Sequence, residues 1–163
     1  MERQVDLCIV GAAGAGMSAA VSAAQHGVKR IIVLEKMKNP GGCTVMSAAM
    51  MGIDTPAQRR FGKYLDVDEA YRKLMRILNW RCDAKLVRKW LLGSGDNFRW
   101  LEELGLSYQF CCTESADLRK TDPTHNRTGH WDGEKWVMEM HGPKVVKCLR
   151  DNCVKYGVEI LTE

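Results

Sequence analysis

The sequence predicts an α/β fold built on parallel strands, with a helical segment inserted later in the chain. Residues 5–10 and 30–34 are short runs rich in β-branched residues, which are typical of strands buried on both faces. Between them, residues 17–25 are small and mostly apolar with no helix-breaking residue. A helix that connects two such strands makes them neighbours in a parallel sheet. This stretch therefore predicts a βαβ unit.

A glycine-rich turn joins the first strand to this helix. Gly11 allows a tight turn, and Gly16 lets the helix pack closely against the strand. The N-terminus of a helix offers backbone amides and a positive dipole end, which together favour a pyrophosphate group. Glu35 ends the second strand roughly 20 residues later, where a carboxylate can accept hydrogen bonds from a ribose diol. This order predicts a Rossmann-like unit that binds a dinucleotide.

The glycine pattern departs from G-x-G-x-x-G at its second position. Ala13 stands there, and its methyl group occupies the place where a pyrophosphate normally approaches the backbone. Gly14 follows directly and compensates in part by freeing the loop. The alternative to a dinucleotide site is a close-packed βαβ turn that holds no ligand.

The segment after the second strand resembles a known flavoprotein family. Glu-Lys at positions 35–36 is followed by a short loop and then by Gly-Gly-Cys-Thr at positions 41–44. Together with the βαβ unit, this arrangement resembles the FAD-binding flavoproteins that include fumarate reductases, succinate dehydrogenases and 3-ketosteroid dehydrogenases. Residues 83–105 and 142–161 resemble later segments of that family in the same order. The similarity therefore covers nearly the whole chain.

The resemblance implies FAD as the cofactor and assigns roles to the matching positions. Glu35 would hold the adenosine ribose, and residues 11–16 would form the phosphate turn. Gly41 and Gly42 would let the backbone pass beneath the cofactor. The full set of predicted FAD-binding residues is Gly11, Ala13, Gly14, Ala15, Gly16, Glu35, Lys36, Gly41, Gly42, Cys43, Thr44, Ala49 and Met50.

Three positions of the predicted FAD site differ from the residues usual in the family. Cys43 stands where the family usually has Asn or Ser. Ala49 and Met50 replace a glycine pair at the flavin ring, and the Met50 side chain would crowd the isoalloxazine. The loop also lacks the histidine that anchors FAD covalently in respiratory members. The resemblance therefore implies FAD that is bound non-covalently.

The resemblance further implies an oxidoreductase that passes a hydride between flavin and a C–C bond of a small-molecule substrate. Family members are longer and carry their substrate cap and catalytic residues further along. We therefore expect an N-terminal part with an incomplete FAD domain, and we nominate no catalytic residue. An unfinished sheet would leave an edge open to association with another chain. The alternatives are a truncated, non-catalytic remnant or assembly module with weak or no FAD binding, and a nicotinamide-dependent dehydrogenase.

Three segments are expected along the chain. Residues 1–55 form the N-terminal βαβ unit and FAD loop, residues 56–141 form a helical and irregular insertion, and residues 142–163 form a helix and a strand that return to the FAD domain. Within the insertion, residues 55–64 are expected to be a connecting loop, and residues 108–136 an irregular polar region.

Two amphipathic helices are predicted inside the insertion. Asp66 or Asp68 caps the first helix and Asp83 caps the second. The Gly-Ser-Gly sequence at positions 93–95 is expected to break or kink the second helix. The residues predicted to face the core are Ala70, Leu74 and Ile77 or Leu78 in the first helix, and Leu86, Val87, Trp90 and Leu91 in the second.

The composition argues against several other classes of function. A net charge of +4, with short basic clusters that are not interleaved with aromatic residues, argues against nucleic-acid binding. No apolar run reaches about 18 residues, so no transmembrane helix is expected, and no signal-peptide pattern is present. Seven cysteines without a secretion signal predict reduced thiols in the cytoplasm. Neither they nor the histidines have zinc-site spacing, so no metal is expected.

Overall fold

Two sheets are present in the part of the chain that the structure describes, one in each of two structural units. The first unit comprises residues 1–48 and 140–163, and the second comprises residues 49–139. The structure is a computed structural model. It describes residues 2–47, 50–60, 62, 64–110, 125–131, 136–138 and 141–163.

Helices and strands alternate at both ends of the chain, while the middle is mainly helical and then strand-rich. In chain order the elements are β1 (Leu7–Val10), α1 (Gly14–Gln25), β2 (Ile31–Leu34), a 3-10 helix (Gly42–Met46), β3 (Met50–Met51), α2 (Pro56–Arg60), α3 (Val67–Ile77), α4 (Ala84–Glu103), β4 (Tyr108–Phe110), β5 (His125–Trp131), β6 (Trp136–Met138), α5 (His141–Lys155) and β7 (Glu159–Leu161).

The first unit is a three-stranded parallel sheet in the order β1-β2-β7, packed against α1 and α5. Leu7 lies opposite Ile31, and Ile32 lies opposite Glu159. The predicted α/β class with parallel strands is therefore confirmed. The core of this unit contains Met17, Ala20 and Val21 of α1, Ile31, Ile32 and Val33 of β2, and Val145, Leu149 and Cys153 of α5.

Helix α1 begins three residues earlier than the sequence predicted. The expected start was residue 17, but the helix starts at Gly14, and the Met17 amide donates to the Ala13 carbonyl at 3.0 Å. The last glycines of the turn therefore form the first helical turn. At the other end, Gly27 has a φ of +93° directly after the C-cap residue His26, the left-handed conformation in which glycine commonly ends a helix.

The second unit contains an antiparallel sheet that the sequence did not predict. Strand β5 lies between β3 and β4 and also pairs with β6. The expectation of an irregular region at residues 108–136 is therefore wrong for its described part. The sequence of β5 is polar and lacks apolar alternation, so its strand conformation comes from hydrogen bonding to neighbouring strands rather than from a periodic pattern.

Helix α2 replaces part of the connecting loop that was expected at residues 55–64. The Thr55 amide donates to Gln58 Oε1 at 2.9 Å, and the Gln58 amide donates to Thr55 Oγ1 at 3.2 Å. This reciprocal pair is a capping box, and Pro56 occupies the first helical position, where its missing N–H costs nothing. The polar composition that suggested a loop is thus a helix start signal.

Helix α4 is continuous through the Gly-Ser-Gly sequence at positions 93–95, so the predicted break does not occur. Ser94 Oγ accepts a hydrogen bond from the Ile53 amide at 2.9 Å and donates to the Leu91 carbonyl at 2.8 Å. A Cβ at Gly95 would lie 2.7 Å from the Asp54 carbonyl oxygen. The small residues therefore let the loop at residues 52–54 approach the helix closely.

Gly95→Ala should destabilise the chain, whereas Gly93→Ala should not. The methyl group at position 95 would press on the Asp54 backbone and cost about 1–3 kcal/mol. Nothing lies within 4 Å of a Cβ at Gly93, so alanine there should stabilise the helix by up to about 1 kcal/mol. Urea unfolding followed by far-UV circular dichroism measures both. Equal effects would contradict the proposed close approach.

The predicted helix caps are confirmed, but the predicted core faces are only partly correct. Asp66 accepts from the Glu69 amide at 2.7 Å, and Asp83 accepts from the Leu86 amide at 3.0 Å. Ile77 is 67% exposed and Leu86 is 64% exposed. The buried residues of α4 are Leu91, Ser94, Gly95, Phe98 and Leu101. Val87 is half-buried, whereas Leu86 and Trp90 are exposed.

Among the described residues, none of the helices combines the length and the hydropathy that a membrane span requires.

Candidate functional site

The candidate site lies in the first unit, where the carboxyl ends of β1 and β2 meet. Val10 and Leu34 are opposite each other in the parallel pair, and the Gly11 amide donates to the Leu34 carbonyl at 2.7 Å. The chain then turns into the N-terminus of α1. In open parallel sheets, ligands bind outside this edge. The strand pairing therefore places the glycine turn and Glu35 side by side.

The Glu35 carboxylate is held by two backbone amides. Its Oε2 accepts from the Ala12 amide at 2.7 Å, and its Oε1 accepts from the Met37 amide at 2.9 Å. The hydrogen bond from Ala12, followed by that from Met37, lowers the pKa of the Glu35 carboxyl below its ordinary value. The group is therefore an anion at neutral pH. Because a carboxylate has about four acceptor sites, it can still accept hydrogen bonds from a diol.

The first turn of α1 packs tightly against the glycine turn. A Cβ at Gly16 would lie 1.9 Å from the Gly11 carbonyl oxygen, so no larger residue fits without moving the backbone. The N-cap residue Ala13 makes no side-chain cap, and the first turn contains no acidic residue. The amides of Ala15 and Gly16 find no acceptor among the residues that the structure describes. These donors at a helix N-terminus are suited to an anionic ligand.

The loop at residues 41–44 lies directly against this turn. The Gly41 amide donates to the Ala12 carbonyl at 2.8 Å, and Gly41 and Ala13 form an isolated parallel bridge. Thr44 Oγ1 accepts from the Gly14 amide at 3.0 Å. The structure thus brings together the three groups that the sequence proposed separately: the glycine turn, Glu35 and the second glycine loop.

The loop at residues 41–44 accommodates the alanine at position 13, because Gly42 lies next to its methyl group. A Cβ at Gly42 would lie 3.1 Å from the Ala13 Cβ, and Gly42 has a φ of +49°. Gly42 therefore satisfies a left-handed backbone and also leaves room for the Ala13 methyl group. The alanine that breaks the glycine pattern packs toward the second loop.

Helix α5 supports the loop through a residue that sequence reasoning did not select. The Gly142 amide donates to the Ser47 carbonyl at 2.9 Å. A Cβ at Gly142 would lie 2.2 Å from the Val45 carbonyl oxygen and 2.3 Å from the Thr44 carbonyl oxygen. The sequence offered one signal for Gly142, which is its position directly before Pro143 at a predicted helix start. It gave no indication of what the helix would contact.

Four further positions complete the predicted set of FAD-binding residues. Lys36 and the Cys43 thiol are exposed. Met50 starts β3 in the second unit, where it pairs with Asn126, and Ala49 lies outside the described residues. Within the part of the chain that the structure describes, no group of three or more His, Cys, Asp or Glu residues could hold a metal ion.

Comparison with known proteins relates this architecture to flavoproteins. Residues 6–163 match the family of FAD binding domains. The chain is 30% identical to the cytochrome-type fumarate reductase of Shewanella frigidimarina over 161 residues, which cover 96% of this chain and 26% of that protein. It therefore spans about a quarter of the length of that relative.

Solved structures of two enzymes share this fold. The open conformation of a flavocytochrome c3 fumarate reductase superposes with a TM-score of 0.76 at 26% identity, over 97% of this chain and 26% of that chain. The 3-ketosteroid-Δ4-(5α)-dehydrogenase from Rhodococcus jostii RHA1 gives a TM-score of 0.75 at 20% identity, over 99% of this chain and 38% of that chain. The second likeness shows the fold alone.

Proposed function

Because this chain belongs to the family of FAD-binding domains found in fumarate reductase-like flavoproteins, we propose that its first unit holds FAD non-covalently at the carboxyl ends of β1 and β2. The observation that carries the proposal is the convergence of three elements at that edge. An ionised Glu35, amide donors at the start of α1 and a glycine loop are joined by hydrogen bonds between 2.7 and 3.0 Å.

The residues present fit the chemical groups of FAD. The amides of Ala15 and Gly16 are donors for the pyrophosphate, and Glu35 is an acceptor for the adenosine ribose hydroxyls. The Thr44 hydroxyl accepts from the Gly14 amide, so its own proton remains available for a phosphate oxygen. Glycine at positions 41 and 42 adopts positive φ values of +129° and +49°, and a Cβ at Gly41 would lie 2.5 Å from Val45 Cγ2, so a larger residue would distort this loop.

This chain's contribution to the reaction is to bind and orient the cofactor. FAD, when bound, supplies hydride transfer, and we propose that longer flavoproteins with this segment act on a C–C bond of a small-molecule substrate. The residues of this chain fix the nucleotide end of the cofactor and thereby its direction relative to the sheet. We assign no catalytic residue, and we propose a cytoplasmic location, which the free thiols of Cys8, Cys43 and Cys82 support.

The second candidate is a non-catalytic module that associates with another chain. In the described sheet β1 is an edge strand, and its last residue, Val10, is 84% exposed. Leu34 at the end of β2 is also exposed. An unpaired strand edge with apolar side chains favours pairing with a partner. A chain that binds no FAD but self-associates, or that captures a flavoprotein partner, would favour this second candidate.

Glu35→Gln is expected to weaken FAD binding roughly 10- to 100-fold, because hydrogen bonds to a charged group contribute about 1.5–3 kcal/mol. The substitution keeps the shape of the side chain but removes its charge and one acceptor oxygen. Fluorescence titration of the chain with FAD measures the effect.

The matched control is Glu159→Gln, which removes the charge of an exposed carboxylate in the same unit. Glu159 pairs with Arg3 at 2.7 Å, outside the proposed FAD site. FAD affinity should stay at the level of the unsubstituted chain in this control. Equal affinities for the two variants would argue against Glu35 as the ribose acceptor.

A further inference from the structure

A buried histidine lies beside the loop of the proposed FAD site. His141 is the first residue of α5 and is only 1% exposed. Among the described residues, no group forms a hydrogen bond with its Nδ1. The next residue, Gly142, donates to the Ser47 carbonyl at 2.9 Å. An imidazole with an unsatisfied polar atom is thus buried one residue from the point where α5 holds the loop.

Among the residues that the structure describes, the main elements packed on α5 offer a charged imidazole no counter-ion. These elements are α1, the 3-10 helix and β7. Helix α1 has no ionisable side chain, and the 3-10 helix has only the exposed Cys43 thiol. The carboxylate of β7, Glu159, is bonded to Arg3. The N-terminal end of a helix is also positive, which further disfavours a cation there.

The side chains of α5 itself do not change this conclusion. Its one carboxylate, Asp151, is bonded by Lys147. Burial raises the pKa of the Cys148 and Cys153 thiols, so both are neutral at neutral pH. The other ionisable side chains of the helix are the cations Lys144, Arg150 and Lys155. Protonation of His141 would therefore place a charge at a buried position where no described residue of these elements compensates it.

We propose that His141 is an acid-sensitive latch on the cofactor loop: its protonation drives the imidazole out of the core, withdraws Gly142 from Ser47 and loosens residues 41–47. In the folded state burial lowers the pKa of His141 to about 4, while an exposed histidine titrates near 6.5. The opened state therefore binds more protons between these values. The latch is closed above about pH 7, and the stability of its closed state decreases as the pH falls through about 6.5. This loss of stability is complete only below the pKa of His141 in the folded state.

Hydrogen exchange of the full chain, measured without FAD, tests the latch. After correction for intrinsic rates, amides of residues 41–47 should exchange roughly 10- to 30-fold faster at about pH 5 than at about pH 7.5. His141→Leu, which cannot take up a proton, should remove this dependence. His141→Gln serves the same purpose should the leucine variant fail to fold. His26→Gln, at an exposed histidine of the same unit, should keep it.

The cofactor part of the inference rests on the proposed function. FAD affinity should fall over this pH range in the unsubstituted chain and in His26→Gln, by no more than the factor seen in exchange, and should be constant in the His141 variants. Exchange that is independent of pH, or a pH dependence that survives in both His141 variants, overturns the latch. A chain with pH-dependent exchange and no FAD binding would support the latch and contradict the proposed function.

Discussion

Gly16→Val is expected to lower the free energy of unfolding by about 3 kcal/mol and to abolish saturable FAD binding. The first atom of the new side chain would lie 1.9 Å from the Gly11 carbonyl oxygen. Gly11 cannot simply move away, because its amide is bonded to Leu34 in the neighbouring strand. The helix must therefore separate from β1. That movement displaces the amides proposed to hold the pyrophosphate.

Ala19→Val is the matched control for Gly16→Val. It introduces the same β-branched side chain at an exposed position of the same helix. Its cost should be limited to the helix propensity of valine, below about 1 kcal/mol, with FAD affinity unchanged. Urea unfolding and FAD fluorescence titration provide the two readouts. Equal losses of stability and of FAD affinity in the two variants would show that close packing at Gly16 does not cause the effect of Gly16→Val.

Gly142→Ala is expected to cost about 1–3 kcal/mol of stability and to weaken FAD binding roughly 10- to 100-fold. The added methyl group would lie 2.2 and 2.3 Å from two carbonyl oxygens of the 3-10 helix. Backbone oxygens cannot rotate away as a side chain can. The start of α5 must therefore withdraw, and the hydrogen bond between Gly142 and Ser47 is lost.

Arg150→Ala provides the control on the same helix. Arg150 is exposed, so its replacement should change stability by less than about 0.5 kcal/mol and leave FAD affinity unchanged. Isothermal titration with FAD and thermal unfolding of both variants are the measurements. An affinity for Gly142→Ala equal to that of Arg150→Ala would show that α5 does not support the cofactor loop.

The parts of the fold that the sequence predicted are those coded by local signals. Two β-branched runs, an unbroken helix between them and an acidic residue at the right distance were sufficient for β1, α1, β2 and Glu35. The Asp66 and Asp83 caps belong to the same class, because a cap involves only residues within three positions. Such features depend on neighbours in sequence, which a single chain displays.

The missed features depend mostly on contacts between distant segments. Gly142 contacts the 3-10 helix across nearly a hundred residues of chain, and no local pattern reports that contact. The Gly-Ser-Gly sequence in α4 was also misread because its role depends on a distant contact: its small residues let the loop at residues 52–54 pack closely against the helix. Helix α2 is different, because its capping box between Thr55 and Gln58 was visible and was outweighed by polar composition.

The most direct test of the central claim is reconstitution of the purified chain with FAD, followed by gel filtration and a visible spectrum. We predict that flavin bands elute with the protein and that denaturation releases all of the flavin, as expected for non-covalent binding. The Gly16→Val variant should elute without these bands. A folded, unsubstituted chain that elutes colourless at saturating FAD would contradict the claim that this unit by itself holds the cofactor.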